Sequence, residues 1–186
     1  MKRFFAVVLF VLATISITSA YHPVYGQQDE EAVRNRTRER LAQLLEKAGP
    51  GINVAFSQSQ KQPYNYVGSL RTGLVNTESF EIVISVTPKA TLGFRIYPHY
   101  NKGYINVDNA KDRTSLMRLL LRLSDRAFLY WGADETGDVF TGYTFTLESG
   151  FPEEAIKIVL RSIMNSDKFV GEMRPFIDGS SAGAVK

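Results

Sequence analysis

The chain of 186 residues holds two histidines and no cysteine. Thiol nucleophiles and metal–thiolate sites are therefore ruled out, and general-base chemistry has only two imidazoles to draw on. His22 stands in an uncharged stretch near the N-terminus. His99 lies in Tyr97-Pro98-His99-Tyr100-Asn101, which reads as a turn after a strand. A histidine-based metal site needs two or three such ligands, and this sequence does not assemble one. Gly179-Ser180-Ser181-Ala182-Gly183 has the letters of a G-x-S-x-G elbow. That chemistry needs the serine on a strand-to-helix turn with its histidine later in the chain, and no histidine follows. Asp134-Glu135-Thr136-Gly137-Asp138 gathers carboxylates but lacks the ligand order and distal glutamate of a calcium loop, so it reads as a hairpin turn. Glu153 and Glu154 are adjacent and diverge by about 100° on a helix. They read as complements to the helix dipole rather than as an acid/base pair. Asn35-Arg36-Thr37 is a glycosylation sequon inside a helical pattern and reads as coincidence. No catalytic residue, metal ligand or cofactor is assigned, and the expectation is a protein that is not an enzyme.

What remains is a surface that could bind. Aromatic residues make up 12% of the chain, and Tyr97, Tyr100, Tyr104, Tyr130, Trp131, Phe140 and Tyr143 fall on or beside strand-like segments. In the last hairpin bulky residues occupy both alternating sets. Phe128 and Tyr130 oppose Leu129 and Trp131, and Tyr143 and Phe145 oppose Phe140. Either both faces of that sheet are covered, by this chain or a second copy, or one face holds a ligand. Arg118, Arg122 and Arg126 recur every four residues and form a solvated stripe that could also meet an acidic partner or lipid headgroups. The binding candidates are Tyr97, Tyr100, Tyr130, Trp131, Phe140, Tyr143, Arg118 and Arg122.

These residues must be positioned by a mixed set of elements. Asp29 to Ala48 repeats Val33, Leu41, Leu44, Leu45 and Ala48 at helical spacing, and Gly49-Pro50-Gly51 ends it. Ile52, Val54 and Phe56 alternate like a strand, and Tyr64 to Leu74 is a weaker one. Ser79 to Thr87 puts Phe80, Ile82, Ile84 and Val86 on one face. Leu92, Phe94 and Ile96 line the next strand across a turn at Pro88-Lys89. Tyr104 to Val107 reads as a short strand or the entry to a helix. Asp112 to Asp125 is a second helix capped by Asp112 or Thr114. Its leucines spread wider than one stripe, which predicts deep packing. Ala127 to Trp131 and Val139 to Leu147 make the best hairpin. Pro152, at the first helical position, opens a third helix with Ile156, Val159, Leu160 and Ile163 buried, and Asp167 to Met173 adds a short one stopped by Pro175. The order is helix, strands, helix, hairpin, helix. Grouped rather than alternating elements predict an α+β fold, an antiparallel sheet with helices packed mainly on one face.

The N-terminus carries an export pattern. Lys2 and Arg3 precede the uncharged apolar run Phe4 to Ile17, and Thr18, Ser19 and Ala20 are small. The run is shorter than the roughly 20 apolar residues that span a bilayer. Residues 1–20 therefore read as a signal peptide, 21–28 as a flexible leader, 29–177 as one domain and 178–186 as a disordered tail. The expected location is exported, periplasmic or secreted, with no stable membrane insertion after cleavage. Without Lys2 and Arg3, the 22 basic residues fall to 20 against 19 acidic ones. That near balance gives no reason to expect a nucleic-acid partner.

The segment from about Leu116 to Ile177 runs from LMRLLLRLSDRAFLYW through the acidic-Gly turn to TGYTFTLESGFPEEAIKIVL and a closing aromatic stretch. With SFEIVISV and TLGFRIY upstream, it resembles the bacterial YbjN-like family, which is related in fold to type III secretion chaperones. Where family members carry an asparagine after the second helix, this chain has Ser124-Asp125. The resemblance implies a small α+β domain that often self-associates, a chaperone-like or protein-binding role and no catalytic residues. Two expectations are drawn, the first from the missing catalytic set, the aromatic excess and the resemblance, the second from the abundance of Phe, Tyr and Leu at inward-facing positions. The first is an exported module that binds a protein or peptide, with a homodimer as one form. The second is a carrier holding a small apolar ligand between sheet and helix.

Overall fold

A computed structural model describes residues 25–89 and 91–179, with only the backbone given for 25–28. The expected signal peptide, the first four leader residues and Ser180 to Lys186 of the expected tail lie outside the described residues.

Period-two burial organises the centre of the fold. β2 (Asn65–Leu70), β3 (Ser79–Val86) and β4 (Thr91–Tyr100) bury every second side chain, as half-buried antiparallel strands do. Their register aligns the buried rows. Phe80, Ile82 and Ile84 stand opposite Pro98, Ile96 and Phe94. On the other side of β4, Ile96, Phe94 and Leu92 stand opposite Thr141, Tyr143 and Phe145 of β7 (Val139–Thr146). With β1 (Ser57–Gln58) and β6 (Tyr130–Ala133) the order across the sheet is β1-β2-β3-β4-β7-β6, and β5 (Gly103–Tyr104) pairs with the end of β4. Every pairing is antiparallel.

All the helices complete the same inner row. α1 (Tyr25–Ala48) supplies Leu41, Leu44 and Leu45, and α2 (Arg113–Arg126) supplies Leu116, Leu120 and Leu123. α3 (Glu153–Ser162) supplies Ile156, Val159 and Leu160, and α4 (Asp167–Asp178) supplies Val170 and Met173. These side chains form one cluster with Phe80, Ile82, Ile84, Phe94 and Ile96. Each such aliphatic or aromatic side chain contributes about 1.5–3 kcal/mol on burial. The fold is α+β with the helical layer on one face of the sheet, as the grouping of elements predicts.

Local departures have local causes. The Ile52–Phe56 alternation is not a strand. Gly49–Ile52 forms a 3-10 turn, and Asn53 turns left-handed at φ 56° while its N–H is used by the Gly49 and Pro50 carbonyls. The segment expected as a turn, Tyr97 to Tyr100, is strand. Pro98 fits because its missing N–H lies on the side beyond the β7 pairing, which ends at Ile96, where its carbonyl meets Ile105 N–H. Pro175 does not stop α4. The helix runs to Asp178 and ends at Gly179, φ 70°, because Phe176 and Ile177 pack on the core and their carbonyls accept the N–H groups of Asp112 and Lys111. Pro152 is the cap residue of α3 rather than its first helical one. α2 packs less deeply than its leucine content predicts, since Met117 and Leu121 are exposed. α1 begins at Tyr25, inside the expected leader.

One carboxylate fastens the helical layer to the sheet. Asp167, at the start of α4 and 6% exposed, accepts the backbone N–H groups of Val75, Asn76 and Thr77, each at 3.0 Å, and the Asn76 side-chain amide at 3.0 Å. Those residues form the loop that enters β3. Asp167→Ala leaves the buried Thr77 N–H and the part-buried Asn76 donors without their acceptor, and the expected loss in urea unfolding is about 3 kcal/mol. Asp167→Asn keeps an acceptor and costs less. A loss below about 1 kcal/mol for the alanine variant would show that the clamp does not hold the layers together.

Candidate functional site

The residues of opposite parity form the outer face of the sheet, with no described helix over it. There Glu81 and Val83 of β3 lie beside Arg95, Tyr97 and His99 of β4, Tyr104 of β5, Phe140 of β7 and Tyr130 of β6. A trough of about 680 Å³ crosses this face, lined among others by Glu81, Arg95, Tyr97, Tyr104, Tyr130, Asp134 and Asp138.

Its floor is aromatic. The Tyr97 ring centroid is 5.6 Å from Tyr104 and 5.8 Å from Phe140, and His99 lies 4.4 Å from Tyr104. Tyr130 meets Phe140 edge-on at 5.9 Å, and the Arg95 guanidinium is 5.0 Å from the Phe140 centroid. Phe140 is thereby reduced to 7% exposure, while Tyr104 and Tyr130 keep 42% and 40%. Gly142 makes the packing of Tyr130 feasible. A Cβ there would lie 2.5 Å from the Phe94 carbonyl oxygen and 2.9 Å from the Tyr130 hydroxyl.

Polar groups fix the rings. The Arg95 guanidinium and the Asp134 carboxylate both lie near the Tyr97 hydroxyl. Burial, with Asp134 adding to it, raises the Tyr97 pKa against the opposing pull of Arg95. The hydrogen bond with Tyr97 raises that of Arg95. At Asp134 burial pushes the pKa up, but hydrogen bonds from the Thr136 side chain, from the Asp138 and Thr136 backbones and from Tyr97 bring it below the ordinary value. The Tyr104 hydroxyl donates to Glu81 Oε2 at 2.9 Å. Burial first, then that carboxylate, push the Tyr104 pKa up to about 12. His99 Nε2 is enclosed without a hydrogen-bond partner, since Glu81 Oε2 lies 3.9 Å away.

The eight candidates from the sequence divide into three places. Tyr97, Tyr130 and Phe140 meet on the outer face. Trp131 and Tyr143 belong to the inner face. Trp131 is 4% exposed, packs against Phe169 and has its backbone N–H bound by the Ser124 hydroxyl at 2.8 Å. Tyr143 stacks on Phe128 and meets Phe145 at a tilt, at the edge of the core. Tyr100 joins sheet to α4, donating to Asp178 at 2.7 Å and accepting from Arg174 at 3.0 Å. Arg118 and Arg122 are exposed on α2, and neither has an ion-pair partner among the described residues. Arg126 of the same stripe pairs with Glu172 of α4. Glu153 and Glu154 both reach Lys157, at 2.9 and 2.7 Å.

Arg95, Glu81, Asp134 and Tyr104 belong to the site and were not among those candidates. Arg95, Tyr97 and His99 share a parity that becomes visible once the strand is carried through Pro98. The reach of Tyr97 to Asp134 depends on the β4–β7–β6 order, which spacing does not encode. Among the described residues no group of three or more His, Asp or Glu side chains could hold a metal ion, and no helix is long and apolar enough to cross a membrane. No family model, curated protein or solved structure matches the chain.

The Tyr104–Glu81 bond has a readable consequence. The folded state favours neutral Tyr104, so the stability this group contributes is complete below the ordinary tyrosine pKa of about 10 and is lost as pH rises through about 12. In a titration followed at 295 nm, the last tyrosine to ionise is expected to vanish in Tyr104→Phe and to shift downward in Glu81→Gln. An unchanged high-pH step in both variants would remove the assignment.

Proposed function

We propose that this chain is an exported, non-enzymatic binding module that takes a protein or peptide segment on the outer face of its sheet. The observation that carries the reading is the aromatic trough on the side of the sheet away from the helices. A soluble protein seldom leaves several tyrosines together on an open face unless something is to cover them, and tyrosine is enriched where proteins meet. The export pattern at residues 1–20 and the likeness to the YbjN-like, chaperone-related family point the same way. A carrier holding an apolar ligand between sheet and helices has less support. Phe80, Phe94, Ile82, Ile84, Leu92 and Ile96 already fill that space and are fully buried, whereas the trough lies on the opposite face.

The test is selection of binders from a random peptide library against the intact chain, followed by mapping on backbone amide NMR shifts. Shifts are expected on β4, β5 and β6, and Tyr97→Ala/Tyr104→Ala is expected to weaken binding at least tenfold, about 1.4 kcal/mol. Arg118→Ala/Arg122→Ala is expected to leave it unchanged. Binding confined to α2, or no selectable binder at all, would count decisively against the outer face. Light scattering on the same sample detects a second copy as the alternative occupant.

A further inference from the structure

The trough is uneven in charge, and that imbalance identifies the chemistry of its occupant. Glu81, Asp134 and Asp138 line it against a single guanidinium, that of Arg95. Arg95 is already engaged, lying over Phe140 and interacting with the Tyr97 hydroxyl. The carboxylates are held mostly by neutral donors. Glu81 accepts from Tyr104, Asp134 from Thr136 and the Asp138 N–H, and Asp138 from the Asn106 amide at 2.8 Å. Among the described residues no lysine or arginine forms an ion pair with any of the three. Besides Arg95, the basic group nearest them is His99, 3.9 Å from Glu81. The hydrogen bonds leave three negative charges standing beside half-exposed tyrosine rings.

We infer that the occupant of the trough is a polypeptide segment bearing lysine or arginine side chains, a proposal that rests on the outer-face reading above. Both parts of such a side chain find a counterpart. The aliphatic stem lies along the Tyr104 and Tyr130 rings. The cationic head meets ring faces and carboxylates together, an arrangement that favours a cation over an equally long neutral side chain. Glu81 and Asp138 near Tyr104 and Asp134 near Tyr97 provide two such positions. The tyrosines are also held in place before binding, since Tyr104 is tied to Glu81 and the Tyr97 ring is packed against Tyr104 and Phe140, so little side-chain freedom remains to be lost. The same charges repel an acidic segment, which gives the face selectivity as well as affinity.

The experiment uses the intact chain and three fluorescent peptides of equal length in which alternate positions are lysine, glutamine or glutamate. Anisotropy gives the affinities, and amide shifts report whether β4, β5 and β6 respond. The lysine peptide is expected to bind at least tenfold tighter than the glutamine peptide at low salt, with an advantage that shrinks as salt rises. Glu81→Gln/Asp134→Asn is expected to erase most of that advantage. Glu46→Gln/Asp125→Asn removes the same charge from α1 and α2 and is expected to preserve it. A lysine preference that survives the first pair, or falls equally with the second, overturns the inference. Equal or tighter binding of the glutamine or glutamate peptide on the same strands overturns it too while the outer-face reading stands. Strands that respond to none of the peptides overturn both.

Discussion

The constraint on which this structure depends is that one sheet face must bury an unbroken apolar row while the other must survive in water. Phe80, Ile82, Ile84, Phe94 and Ile96 supply that row, and a shift of register by one residue would turn all of it to solvent. Satisfying the row draws α1, α2, α3 and α4 to the same side. Asp167 then locks the arrangement, because its carboxylate gathers the N–H groups of the loop entering β3. The bare outer face is thus a consequence of how the core is closed.

A bare face of one sheet is ordinarily made of small and hydroxylated residues, and part of this one is. Ser85, Gly93 and Thr144 line the trough in that manner. The other part is aromatic and charged, and its order is built from pairs that only make sense together. Phe140 is shielded by Arg95, Tyr97 and Tyr130. Tyr130 can lie where it does because Gly142 has no Cβ. Tyr104 has its hydroxyl bound by Glu81 and Tyr97 packs against Tyr104 and Phe140, so their rings present apolar surface in fixed places. Such preorganisation costs the solitary chain exposed apolar area and lowers the entropic cost of whatever covers it.

The sequence makes the inner face legible because burial acts on every second residue and leaves a trace in every strand. The same logic identifies Leu41, Leu44 and Leu45 or Ile156, Val159 and Leu160 as helix stripes. It misreads the two prolines for a physical reason. Pro98 and Pro175 lack a donor and discourage continuation locally, but tertiary packing decides. The gap in the ladder between the β7 and β5 pairings accommodates the first, and the docking of Phe176 and Ile177 outweighs the second. The candidate surface is half legible. Bulky residues on both faces of the last hairpin point to the right strands, and Tyr97, Tyr130 and Phe140 are in the cluster. Assigning Trp131 and Tyr143 to the core instead requires knowing which face the helices cover, and Arg95 and Asp134 join only through the β4–β7–β6 neighbourhood.

Hydroxyl-radical footprinting of the chain, free of partners and dilute, tests most directly whether the outer face stands open. Tyr104 and Tyr130 are expected to oxidise at rates approaching those of an exposed tyrosine peptide, with Trp131 and Phe94 protected. Protection of Tyr104 and Tyr130 to the level of Trp131 in that sample would mean that the face is already covered, contradicting an open binding surface.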